Sequence, residues 1–139
     1  MVLPILLPDV DVLLGAFDRL NPSPLLVQQF AHAVEQRQVL LPGWVRQGVL
    51  TRVADVDQAL RLARVLLPFP DIPICSDDHM QAAFLQQRLR RRGIAVQPAQ
   101  ALHWIIAERI DGLIWSASSR WHAAHSLGAP VLSHIDVPP

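Results

Sequence analysis

The sequence has no lysine and no tyrosine: all twelve of its basic residues are arginine. Without lysine there is neither a Schiff-base nucleophile nor the phosphate-gripping lysine of a P-loop. Cysteine occurs once, as Cys75. That excludes an internal disulfide and a cysteine-rich zinc site, and it suits a reducing compartment. Cys75 also sits beside Asp77 and Asp78, whose charges disfavour a thiolate nucleophile. Charge is scarce: Asp, Glu, Lys and Arg make up 17% of the chain, with twelve acids against twelve bases. A globally basic nucleic-acid binder and an acidic solvating chain are both excluded. No apolar run reaches the roughly 18–20 residues that a bilayer requires. The start, Met1-Val-Leu-Pro-Ile-Leu-Leu-Pro8, lacks the basic region of a signal peptide and meets Asp9 at once. A cytoplasmic protein with no membrane partner is expected. What is abundant is apolar surface, 51% of the 139 residues. That excludes disorder and calls for a large core or a covered face, hence the expectation of a homodimer.

Short apolar runs alternate with helical patterns. Val2–Leu7, Gln38–Pro42, Leu113–Trp115 and Val131–Ser133 read as strands buried on both faces. Helices are expected over Val10–Leu20, from the Ser23 cap with Pro24 in the first turn to about Gln36, over Gly43–Val53, and from the Asp55 cap to Leu66. Three more are expected over Asp77–Arg92, over Pro98–Arg109 and over Ser118–Leu127. Met80, Phe84 (or Ala83), Leu85 and Leu89 form the expected inner face of the fifth helix, and Gly93 and Gly128 end the fifth and the last. Alternating strands and helices predict an α/β fold, a single domain over residues 1–139.

Three segments carry a resemblance. They are Ile5-Leu-Leu-Pro-Asp9-Val-Asp11, then Leu40-Leu-Pro42-Gly-Trp-Val45-Arg-Gln47-Gly48-Val-Leu50, and then Asp78 to Leu132. The last contains Ala99-Gln100-Ala-Leu102-His103, Gly112-Leu-Ile-Trp-Ser116-Ala-Ser118 and Leu127-Gly128. Together they resemble the PIN domain, the nuclease fold of VapC-type toxins of toxin–antitoxin systems. The resemblance implies a three-layer α/β/α architecture with a central, mainly parallel sheet of four to five strands. It also implies carboxylates gathered at the strand ends around Mg²⁺ or Mn²⁺, which activates a water for phosphodiester hydrolysis.

Most of those carboxylates are replaced. Asp9 matches the first acid, and Asp11 lies where the family commonly has Ser, Thr or Asn. Gly48, Gln100 and Ser118 fall where further acids belong. The resemblance therefore implies a catalytically inactive or impaired domain that acts as a nucleic-acid- or protein-binding module, with no cofactor. The alternative is an active Mg²⁺- or Mn²⁺-dependent ribonuclease using Asp9 and Asp11, with Asp78, Glu108 or Asp111 as a replacement acid. On their own, Asp9 and Asp11 fit a weak remnant metal site, but also helix capping. Gln100, His103, Ser116 and Ser118 are expected to line the same cleft. His103, beside Trp104, fits an acid–base role or a packed core residue. Arg88, Arg91 and Arg92 on one helix face fit phosphate gripping, an acidic antitoxin-like partner segment, or a solvated last turn. His122 and His125, at i and i+3, have the spacing of a shared metal but no third ligand in sequence reach. Trp44, Trp104, Trp115 and Trp121 lack the spacing of a base-stacking ladder and fit the core or a dimer face.

Overall fold

The structure, a computed structural model, describes residues 2–132. The C-terminal end of the expected last strand, Ser133, lies outside the described residues. Within them the chain forms β1 (Leu6–Pro8), α1 (Val10–Phe17), α2 (Pro24–Glu35), α3 (Gly43–Leu50), α4 (Val56–Leu66), α5 (Ser76–Arg91), α6 (Pro98–Arg109), β2 (Leu113–Trp115) and α7 (Ser119–His125).

Helix starts follow from side chains that satisfy the free N–H groups of the first turn. Asp9 accepts from the Val10 N–H, Ser23 from Leu26, Asp55 from Asp57, and Ser118 from Arg120. Proline in the first turn of α2 and α6 adds a preset φ where no N–H is needed. After α5 the chain reverses at Gly93, whose φ of 78° is open to glycine at little cost.

β1 and β2 pair in parallel, with Leu6 opposite Leu113, Leu7 opposite Ile114 and Pro8 opposite Trp115. The other two expected strands are reduced to single parallel bridges, Leu6 with Val39 and Ile114 with Val131. This corrects the expected fold class. Among the described residues the molecule is mostly helical around a two-stranded parallel sheet, not built on a central four- to five-stranded one. The physical reason is proline. Pro4, Pro8, Pro42 and Pro130 bound the apolar runs, and a residue without an N–H cannot extend a ladder. Short buried runs therefore end after one to three paired residues.

The sheet still divides the core. Side chains alternate across a strand. Leu7 and Ile114 pack with α5, α6 and α7 residues such as Leu85, Leu89, Ile106 and Trp121. Leu6 and Trp115 face Val12, Leu13, Phe30, Val45 and Val49 from α1, α2 and α3. Burying a side chain such as Ile106 completely contributes about 2 kcal/mol. Two arginines clip the helices together. The Arg109 Nε lies 2.9 Å from Asp78 Oδ1 and its Nη2 donates to Oδ2 at 3.1 Å, tying the end of α6 to the start of α5. Arg46 donates to the carbonyls of Leu41, Leu66 and Phe69, tying the start of α3 to the end of α4.

The inner face of α5 differs from the expected one. Asp78, Ala82, Leu85 and Leu89 are buried, while Met80 is 51% and Phe84 53% exposed. The Asp78–Arg109 pair rotates the helix so that an acid, rather than Met80, points inward. The Cys75 N–H and the Arg109 guanidinium hold the Asp78 carboxyl below its usual range against the opposing effect of burial.

Candidate functional site

The C-terminal ends of two parallel strands place Asp9 and Ser116 side by side, the usual location of a site in parallel α/β structure. Asp9 follows β1 and caps α1. Its Oδ1 accepts from the Val10 N–H at 2.8 Å, and its Oδ2 accepts from the Trp121 indole N–H at 2.7 Å. Asp11, in the first turn of α1, accepts from the Ala117 N–H at 2.7 Å and the Ser116 hydroxyl at 3.0 Å. Ser116 in turn accepts from the Ser118 N–H at 3.0 Å. The Trp121, Ser116 and Ala117 donors lie more than a hundred positions away in sequence, so the two carboxylates stitch α1 to the segment after β2.

A pocket of about 430 Å³ opens over this network and is lined by Asp9, Asp11, Gly48, Gln100, His103 and Ser118, among others. Ser116 reaches it through Asp11. Trp44, Arg52, Gln97, Arg120 and Trp121 also line it. None of these five is among the site residues expected from the sequence. Their partners are remote: Trp44 meets His103 across 59 positions, and Trp121 meets Asp9 across 112. No local spacing announces such pairs.

His103 is buried on α6. An indole nitrogen only donates, so the Trp44 N–H, 2.9 Å from His103 Nδ1, fixes that atom as the acceptor. The ring proton then resides on Nε2 and is donated to the Leu7 carbonyl at 3.1 Å. Burial pushes the imidazole below its ordinary value, opposed by the Asp9 carboxylate, the Leu7 carbonyl and Asp11. Both nitrogens are occupied by internal partners, and the ring is neutral at neutral pH.

Gly48 lies on α3 and faces α1. A Cβ there would meet Val10 Cγ2 at 2.7 Å. Val10 is β-branched and stiff, so this position has no room for a carboxylate without displacing α1. The acids considered as replacements lie elsewhere. Asp78 pairs with Arg109, Glu108 accepts from the Trp104 indole at 2.7 Å, and Asp111 occupies an exposed turn at φ 55°. Among the described residues, no group of three or more His, Cys, Asp or Glu side chains converges closely enough to hold a metal ion. Mg²⁺ and Mn²⁺ require several oxygen ligands in a regular shell. Two carboxylates engaged by internal donors do not fit that requirement. His122 and His125 sit on the short α7 and do not extend to such a group. Arg88, Arg91 and Arg92 are exposed at the end of α5, and none lines the pocket.

A second concavity, about 550 Å³, lies between α1, α3 and α4. Leu13, Leu14, Phe17, Leu62 and Val65 form its floor, and Arg19, Arg52 and Arg61 stand on its rim. Its one acid, Asp18, accepts from the Asn21 and Leu20 N–H groups, which hold its carboxyl below the usual range.

No family model matches the sequence, and no curated protein does. Solved structures do match in fold. The FitAcB structure from Neisseria gonorrhoeae superposes with a TM-score of 0.68 at 13% identity, covering 93% of this chain and 97% of that one. VapBC2 from Rickettsia felis, bound to a DNA fragment from their promoter, gives 0.72 at 10% identity, with 93% and 97% covered. FitAB bound to an IR36 DNA fragment gives 0.70 at 13% identity, with 88% and 91% covered. At these identities the likeness is one of fold. It also corrects the family resemblance drawn from the sequence. With no matching family model, and with structural likeness to FitAB and VapBC2 complexes at 10–13% identity, the chain is not assigned to the PIN nucleases. The short motifs that suggested the assignment include Gly48, Gln100 and Ser118, which lack the carboxylates that would make them specific.

Proposed function

We propose that this chain is a binding subunit of a toxin–antitoxin-type assembly that holds a protein partner and performs no hydrolysis itself. The carrying observation is the pairing of an apolar groove with an arginine rim at α1, α3 and α4. Its floor suits leucine-like anchors of an amphipathic helix, and its rim suits acids between them. The fold likeness to FitAB and VapBC2 complexes supports an assembly of that type. The internally engaged carboxylates of Asp9 and Asp11 support a non-catalytic role. A second copy of the chain is a further partner we infer. Val56, Leu60 and Leu67 lie along one side of α4 and its end, 71%, 55% and 77% exposed, and sedimentation velocity distinguishes dimer from monomer.

The test is calorimetric titration with Mn²⁺ together with an RNA cleavage assay, on the native chain and on Asp9→Asn. The expected result is neither metal binding nor cleavage. Metal-dependent cleavage abolished by Asp9→Asn would overturn the proposal in favour of a ribonuclease using Asp9 and Asp11. RNA binding without cleavage, lost in Arg91→Ala and weakened by salt, would replace the protein partner with a nucleic acid.

A further inference from the structure

A third concavity, about 420 Å³, runs between the end of α5, α6 and α7. Leu89, Ile94, Val96, Trp104, Trp121 and Leu127 form its walls. Both tryptophans have spent their polar atom elsewhere: the Trp104 N–H goes to Glu108 and the Trp121 N–H to Asp9. They turn ring hydrocarbon to the cleft. Arg120 is the one charged residue that lines it. Arg120 is exposed, and the ion pair found among the described residues is Asp78–Arg109, so no acid holds the Arg120 guanidinium. Gln100 lines the cleft as well. The Gln100 Oε1 accepts from the Gln97 N–H at 3.4 Å, which leaves its amide nitrogen as a donor.

We propose that this cleft binds a small organic carboxylate with an aromatic or aliphatic body. An apolar cavity of this size with a few converging polar groups is the usual form of a small-molecule site. Gln97 and Gln100 are neutral amides, and the one charge on the lining is the positive Arg120, so the complementary head group is an anion. A guanidinium matches a carboxylate through two parallel hydrogen bonds. The Asp9 and Asp11 carboxylates border the adjoining pocket, where Val10, Trp121, Ser116 and Ala117 already donate to them. Arg120 is therefore available to a ligand. The proposal stands independently of any protein partner.

The two tryptophans provide the readout. 4-Phenylbutyrate is titrated into the full chain while tryptophan emission is followed, with 4-phenylbutan-1-ol as an uncharged match of the same shape. A saturable change is expected with the acid, and binding of the alcohol about tenfold weaker or more, as loss of a charge-assisted hydrogen bond requires. Arg120→Gln should weaken the acid by a similar factor and leave the alcohol unchanged. Ala124→Phe, which fills the cleft wall, should abolish both, with far-UV circular dichroism confirming that the variant is folded. Equal binding of acid and alcohol, an unchanged response in Arg120→Gln, or no saturable change with either compound would overturn the proposal.

Discussion

The carboxylate pocket and the α1–α3–α4 groove share Arg52 on their linings, yet they are built in opposite ways. In the pocket, polar side chains meet one another: indole to carboxylate, indole to imidazole, hydroxyl to carboxylate. In the groove the floor is apolar, and among the described residues the Arg19 and Arg61 side chains make no hydrogen bond or ion pair. A polar network whose members satisfy one another rigidifies a fold. An apolar groove with unengaged cations has its interactions still to make. On the proposed function, the location that looks like a catalytic centre is a structural joint, and the plainer surface is the one that meets a partner. If that contrast holds, changes in the pocket affect stability, and changes in the groove affect binding.

His103→Leu should have the largest effect. It removes both hydrogen bonds of the ring and leaves the Trp44 N–H and the Leu7 carbonyl facing a hydrocarbon. A cost of about 3 kcal/mol is expected in urea unfolding. A loss well under 1 kcal/mol would mean that the network is not a joint, and the contrast would fail. The same residue sets a pH dependence. His103 is pushed down when folded, so between its ordinary value near 6.5 and its lower folded value the unfolded chain binds more protons. The stability from the neutral ring is complete above pH 6.5 and is lost as pH falls. Asp78 and Asp18, held below the ordinary carboxyl value of 3.8, do not contribute in that window. The melting temperature should therefore decline from pH 7 to pH 5, and the decline should be shallower in His103→Leu.

Asp9→Asn should come next, at about 1–2 kcal/mol. An amide offers one acceptor where Asp9 serves both the Val10 and the Trp121 N–H groups, so one donor is left facing an NH₂. The measurement is again urea unfolding. A stabilising effect would indicate that Asp9 is kept for chemistry at the expense of the fold, which would move the pocket from joint to centre.

The helices were legible in the sequence because their signals are local. Asp9, Ser23, Asp55 and Ser118 each sit where the first turn needs an acceptor, and the observed starts follow them. The sheet was not, because an apolar run such as Gln38–Pro42 looks the same whether it pairs over five residues or at one bridge. The inner face of α5 was misread for a related reason. Met80 and Phe84 obey the apolar period, but Asp78 turns inward to pair with Arg109, 31 positions away, and that pair sets the rotation of the helix. The pocket was legible as a set of residues near the strand ends. Its role was not, because that depends on Trp44 and Trp121, whose partners only the fold brings near.

The smallest effect on stability, and the sharpest on function, is expected from reversing charge on the groove. Arg19→Glu with Arg61→Glu changes two side chains that make no internal contact of consequence, so the stability change should stay within about 0.5 kcal/mol per site. Binding should respond strongly. A synthetic amphipathic peptide with leucines at helical spacing and glutamates between them should bind the native chain, more weakly as salt rises. Its affinity for the double variant should fall by about tenfold or more, while a peptide with arginines in place of the glutamates should gain. Charge on a rim chiefly sets association rate, so stopped-flow mixing should show the loss in the on-rate rather than in dissociation. If the double variant instead unfolds readily and the His103 variant does not, the two regions have exchanged roles: the groove is part of the core and the carboxylate pocket is the surface that acts.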